Sequence, residues 1–155
     1  MKKSIKIKPL NKGITFEETN EFLKWGKFIN PLIRKFQGTK ENLGDRTVYN
    51  WGKHTILSGL ELELSSTFYN FEEQRRFRIF NQIEYWAIGD KIAKQEFDRL
   101  SNHLVKLFGQ PYINEENADE NEKCLNWKMD KIQIALIFFE QHCYKLHFTI
   151  QKTKK

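Results

Sequence analysis

Nowhere in this chain do roughly eighteen apolar residues run together, so the sequence holds no candidate membrane-spanning helix. The opening Met1-Lys2-Lys3-Ser4-Ile5-Lys6-Ile7-Lys8 starts like a signal peptide, but no apolar stretch of about 7 to 15 residues follows it. A soluble cytoplasmic protein is the expectation. The sequence also lacks Gly-x-Gly-x-x-Gly, the Gly-x-x-x-x-Gly-Lys-Ser/Thr loop, the Gly-x-Ser-x-Gly elbow and His-Glu-x-x-His, which removes support for the common nucleotide, serine-hydrolase and zincin chemistries. No cofactor is expected. An enzyme whose site is assembled from scattered residues leaves no such trace and stays as an alternative. No repeat, low-complexity tract or Pro/Gly-rich linker interrupts the 155 residues, so a single α+β domain spanning 1–155 is expected, with lysine-rich tails at 1–8 and 151–155.

What is present begins with charge. The net charge of +6 suggests a polyanion partner until its location is read. Lys2, Lys3, Lys6 and Lys8 at one end and Lys152, Lys154 and Lys155 at the other carry it, leaving residues 9 to 150 near about −1. The tails read as solubilising ends.

Thr15-Phe16-Glu17-Glu18 has capping-box spacing, which predicts a helix from Thr15 to about Ile29. Asn30-Pro31 then reads as a new helix start, with a short helix through Leu32, Ile33 and Phe36 ended by Gly38. From Arg46 the period becomes two. Leu60, Leu62 and Leu64 alternate with Glu61 and Glu63, and Phe77, Ile79, Ile83 and Tyr85 share one parity. Between Asp90 and Phe108 the stripe Ala93, Phe97, Leu100, Leu104, Leu107 and Phe108 predicts a helix stopped by Gly109 and Pro111.

The last third reads as an antiparallel meander. Leu125, Trp127 and Met129, then Ile132, Ile134, Leu136 and Phe138, then Tyr144, Leu146, Phe148 and Ile150 form three apolar parities, with turns near Asp130-Lys131 and at Gln141. In the expected register Trp127 faces Ile134, and Ile134 faces Phe148. The fold class is therefore α+β, an antiparallel β-sheet with two main helical segments packed mainly on one face. The same register separates Cys124 from Cys143 by about 12 Å, beyond the roughly 7 Å Cα limit for a bridge, so both are expected as free thiols.

The opposite face of the meander is the leading candidate surface. Its rows are expected to hold Asn126, Ala135 and His147, then Lys128, Gln133 and Thr149, then Cys124, Ile137 and Lys145. With Phe139, this face mixes apolar and polar groups as protein contact surfaces do. The binding residues assigned to it are Asn126, Lys128, Gln133, Ile137, Phe139, Lys145 and His147.

Other clusters have plainer readings. His54, His103, His142 and His147 lack metal-ligand spacing, no metal is expected, and His142 reads as a turn residue. Glu61 and Glu63, with Glu84 as a third candidate, resemble an acid/base pair but are explained as the wet side of a half-buried strand. Arg75, Arg76 and Arg78 around Phe77 suggest a second reading, single-stranded nucleic-acid binding. The acidic run from Glu115 to Glu122 lacks a calcium-loop pattern and reads as a solvated loop or as a lure for a basic partner surface.

The helix Phe97 to Phe108, the stop Leu107-Phe108-Gly109-Gln110-Pro111, a polar loop, and then Trp127 and an apolar meander to Ile150 resemble the C-terminal half of many small bacterial immunity-type and uncharacterised proteins. The resemblance implies a non-enzymatic protein-binding module that neutralises another protein by occluding it, and it carries over no site residue. Another protein is the expected partner, with no membrane and no metal.

Overall fold

Alternation of apolar and polar side chains, rather than the helical period, organises most of this chain. The structure, a computed structural model, describes residues 9–70, 78–117, 119 and 121–153. It is an α+β fold of antiparallel strands and two helices, grouped into two compact units that divide after Ile83.

The first unit opens with a hairpin of β1 (Gly13–Phe16) and β2 (Glu21–Lys24) where the capping-box spacing predicts a helix. Two features decide against the helix. A Cβ at Gly13 would lie 2.1 Å from the Leu23 carbonyl oxygen, so glycine alone permits this close approach of β1 to β2. The acids of the apparent box also find better partners than a helix end. Glu17 accepts from the Ser58 and Gly59 amides at 2.7 and 2.9 Å, and Glu18 accepts from the Thr55 amide at 2.9 Å. The short helix α1 (Ile29–Lys35) does form, but it starts at Ile29 with Phe28 as its N-cap, because the Asn30 Oδ1 accepts from the Tyr49 hydroxyl instead of capping. The chain leaves it through Gln37 at φ +57° and Gly38.

Strands β3 (Thr39–Asn42), β4 (Arg46–Ile56) and β5 (Leu60–Tyr69) follow as neighbours, with Leu60, Leu62 and Leu64 buried and Glu61 and Glu63 exposed as expected. A bulge between Asn50 and Gly52, where Gly52 takes φ +92°, shifts the parity of β4. His54 consequently turns inward, stacking on Phe16 at 3.7 Å while its Nε2 donates to the Trp51 carbonyl and its Nδ1 meets Glu18. The aromatic core also holds Trp25 stacked on Phe80 at 4.8 Å, and Trp51 edge-on to Phe80. Ile79 therefore does not share the burial of Ile83; it is exposed in a bridge to Phe28, and Phe80 takes the inner position. Phe77 lies outside the described residues.

Strand β6 (Gln82–Ile88) runs across the division between the units. In the second unit the strand order is β6, β10, β9, β8, β7, formed with β7 (Ile113–Asn117), β8 (Glu122–Met129), β9 (Ile132–Gln141) and β10 (Cys143–Lys152). The helix α2 (Asp90–Phe108) lies on β9 and β10 and buries Ala93, Phe97, Leu100 and Leu104. Its C-cap, Gly109 at φ +83°, offers its carbonyl to the Trp127 indole at 2.9 Å. Leu107 is 40% exposed and lies outside the buried stripe. Tyr85 on β6 donates to Glu96 of α2 at 2.7 Å, and burial pushes the Tyr85 hydroxyl pKa well up.

Two expectations for the meander need correction. The acidic run read as a loop instead supplies β7, whose Glu115 pairs with Cys124 and Asn117 with Glu122. The β8/β9 register is as expected, with Trp127 opposite Ile134, but Ile134 pairs with Ile150, and Phe148 pairs with Leu136. The β9/β10 turn is centred one residue later than expected, on His142 at φ +67°. Moving the turn by one residue slides the pairing by two, which preserves every side chain's face and changes its neighbours.

Candidate functional site

The outer face of the second unit is fixed by exclusion. Even-numbered residues of β9 and β10 face α2, as Phe97 against Phe138 at 5.6 Å shows, so the odd-numbered residues of both strands point the other way. On β8 the outward parity is even, because Leu125 and Trp127 are buried. Asn126, Lys128, Gln133, Ile137, Phe139, Lys145 and His147 thus share one face, none of them fully buried.

Their rows differ from the expected ones on the β10 side because of the slip. Ala135 lies between Asn126 and Thr149, Gln133 between Lys128 and Gln151, and Ile137 between Cys124 and His147, while Phe139 lies beside Lys145. Cys124 and Cys143 are both free thiols.

The sequence reading missed what β6 adds to this face. Tyr85 and Ala87 go to the core, so Glu84, Trp86 and Ile88 go outward. The available signal was the unbroken apolar run Tyr85-Trp86-Ala87-Ile88, which feeds both faces of a strand. Trp86 stacks on His147 with ring centroids 3.9 Å apart and planes 15° apart, and meets Phe139 edge-on at 6.3 Å. Beneath them the His147 Nε2 contacts Glu84 Oε2 at 2.8 Å, and Glu84 is only 5% exposed. Glu84 is therefore the partner of His147, whereas Glu61 pairs with Lys53 at 2.8 Å on the wet side of β5.

A carboxylate–imidazole pair does acid/base chemistry when a nucleophile or bound substrate lies within hydrogen-bond reach. Cys124, the nearest nucleophile type in the row, is separated from His147 by the whole of β9, about 10 Å at standard strand spacing. Burial first, and then the charges of Glu115 and Glu122, raise the Cys124 thiol pKa, which keeps it protonated. The Glu84–His147 contact has a structural role. It fixes the imidazole, and the imidazole fixes the Trp86 ring.

No family model, curated protein or solved structure matches the chain. The surface is read on its own chemistry. Trp86 is 42% exposed and Ile88 62%, whereas Trp25, Trp51 and Trp127 are each 3% exposed, so one tryptophan of the four is presented to solvent.

The other candidates are dispersed. Arg78 is buried, its Nη2 donating to Asn70 Oδ1 at 2.8 Å and its guanidinium over the Phe68 ring, so it is not placed to meet a phosphate. Arg75 and Arg76 lie outside the described residues, as do the lysines of the tails apart from Lys152. Among the described residues no three His, Cys, Asp or Glu side chains are grouped to hold a metal ion, and no helix is long and apolar enough to cross a membrane.

Proposed function

We propose that this chain is a non-enzymatic protein-binding module, of the immunity or inhibitor type, whose contact surface is the outer face of β6, β10, β9 and β8 in the second unit. The carrying observation is the exposed Trp86 held rigid by His147, with Phe139 at its edge. A tryptophan already fixed in one orientation loses little side-chain freedom when a partner covers it, and such residues concentrate binding energy at protein interfaces. Ile137 and Ile88 extend the apolar area, and Asn126, Lys128, Gln133 and Lys145 supply the polar surround that sets orientation.

The test separates a free face from a buried one. Phe139→Asp is expected to cost the isolated protein about 1 kcal/mol, whereas Phe148→Asp, which puts a carboxylate where the ring is 0% exposed, is expected to unfold the second unit. A photo-crosslinking residue at position 137, used in extract of the native cell, is expected to give a discrete protein adduct that Trp86→Ser and Phe139→Asp abolish. Equal unfolding by both aspartates, or an adduct indifferent to Trp86→Ser, would refute the proposal.

A further inference from the structure

The outer face continues beyond Phe139 toward β7, and there its chemistry changes. An open hollow of about 600 Å³ has Ile137 and Phe139 as its floor and Glu122, Glu140 and Gln141 as its rim. A second, of about 670 Å³, shares Glu122 and is lined by Glu115, Glu116, Asn117, Asp119 and Cys124. The two together carry five carboxylates and no lysine or arginine, and among the described residues none of the five is in an ion pair. Of these, Glu115 and Glu122 share the outward parity of Cys124 and Ile137, whereas Glu116 and Glu140 share that of Lys123 and Phe138. Glu140 accepts from the Asn121 amide at 3.0 Å. The nearest bases are accounted for: Lys145 flanks Phe139 on the β10 side, and Lys123 turns to the other face, its Nζ 5.5 Å from the Phe97 ring centroid.

An apolar floor without its acids would accept any apolar side chain. Here an acidic or neutral partner would bury the rim carboxylates without compensation, whereas a basic one pairs with them as it covers the floor. Burial first, and then the charges of Glu115 and Glu122, hold the Cys124 thiol toward the protonated form, consistent with the acidic field of these hollows.

Resting on the binding-module reading, we infer that this end of the face seats a lysine- or arginine-bearing segment of the partner protein, with one apolar side chain on Ile137 and Phe139 and its cations against Glu122 and Glu115. The module's specificity is then divided. Trp86 supplies shape and apolar contact, and the rim selects partners by charge.

Three synthetic peptides of equal length test this on the full chain: one alternating lysine with isoleucine or phenylalanine, one with glutamate in place of lysine, and one with serine in place of the apolar residues. The first is expected to bind, to shift the backbone amide resonances of Glu122, Ile137 and Phe139, and to weaken about tenfold between about 50 and 500 mM salt. The other two are expected to bind at least about tenfold more weakly than the first. Glu115→Lys with Glu122→Lys is expected to cost about tenfold in affinity, and the milder Glu115→Gln with Glu122→Gln about threefold, each with the dispersed spectrum of the folded chain.

Equal binding of the glutamate peptide, shifts confined to another surface, or unchanged affinity in both carboxylate variants would overturn the inference. So would much tighter binding to a chain lacking residues 1–8, because the occupant would then be the protein's own lysine-rich end. An adduct at position 137 that survives the charge reversal would also overturn it, while leaving the module reading intact. Loss of that adduct on reversal supports both.

Discussion

Replacing His147 with alanine probes the bracing of Trp86 most directly. Removing the imidazole takes away a partner 2.8 Å from a carboxylate whose side chain is 7% exposed. Breaking a fully buried pair in this way costs about 3–5 kcal/mol, but His147 is itself 22% exposed, so water enters the vacated space and the cost falls to about 2 kcal/mol. Loss of the ring stack on Trp86 adds about 1 kcal/mol. The total expected for His147→Ala is about 3 kcal/mol. Glu84→Gln keeps an acceptor for Nε2 and is expected to cost about 1 kcal/mol. The double variant, which removes both members of the contact, is expected to cost less than the two together, with a coupling of about 1–2 kcal/mol. Hydrogen exchange of the β9 and β10 amides reads the second unit alone, avoiding the ambiguity of a single melting curve for a chain of two units. Acrylamide quenching gives an independent measure, because the other three tryptophans are 3% exposed and stay shielded from quencher while the fold holds, so a change in quenching reports Trp86. Additive single variants, or a His147→Ala cost below about 0.5 kcal/mol with unchanged quenching, would refute the bracing argument.

The acids of the apparent capping box give two further predictions in the first unit. Glu17→Ala strands the Ser58 and Gly59 amides and is expected to cost about 2–3 kcal/mol by exchange of the β4 and β5 amides, with Glu17→Gln recovering about half; equal behaviour of the two variants would count against the paired acceptor role. The Glu18 carboxyl is held below its ordinary range, because donation from Thr55 and the contact with His54 outweigh the opposing effect of burial. A depressed carboxyl stabilises the fold above its unfolded pKa, and that contribution is lost as pH falls through the folded value, so Glu18→Gln should flatten the acid limb of stability between about pH 5 and 3. An acid limb as steep as that of the unaltered chain would refute it.

Long periodic stretches were legible in the sequence because burial enforces their period. The α2 stripe and the three apolar parities of the meander leave no other way to cover their side chains, and the seven assigned outer-face residues follow from parity alone. The hairpin of β1 and β2 was not legible, because Thr15-x-x-Glu18 has the same spacing whether its acid caps a helix or accepts from the Thr55 amide in β4. The inward turn of His54 depends on one bulge at Gly52, which the alternation in β4 does not announce. Trp86 and Glu84 escaped the site reading because strand order decides which strand lies beside β10, and order is not written in any single segment. Arg78 read as part of a basic cluster because charge in a sequence carries no sign of burial.

The turn on His142 has a consequence for how such a surface changes. The core cannot sense a slide of β10 by two residues, since apolar side chains still meet apolar side chains, yet the slide gives every outward residue a new companion. Moving that turn by one residue along the chain, or changing its length by two, is thus a way to reshuffle the contact surface wholesale while the interior stays as it is. A lineage under pressure to follow a changing partner has in this turn a route that point substitutions on the face do not offer.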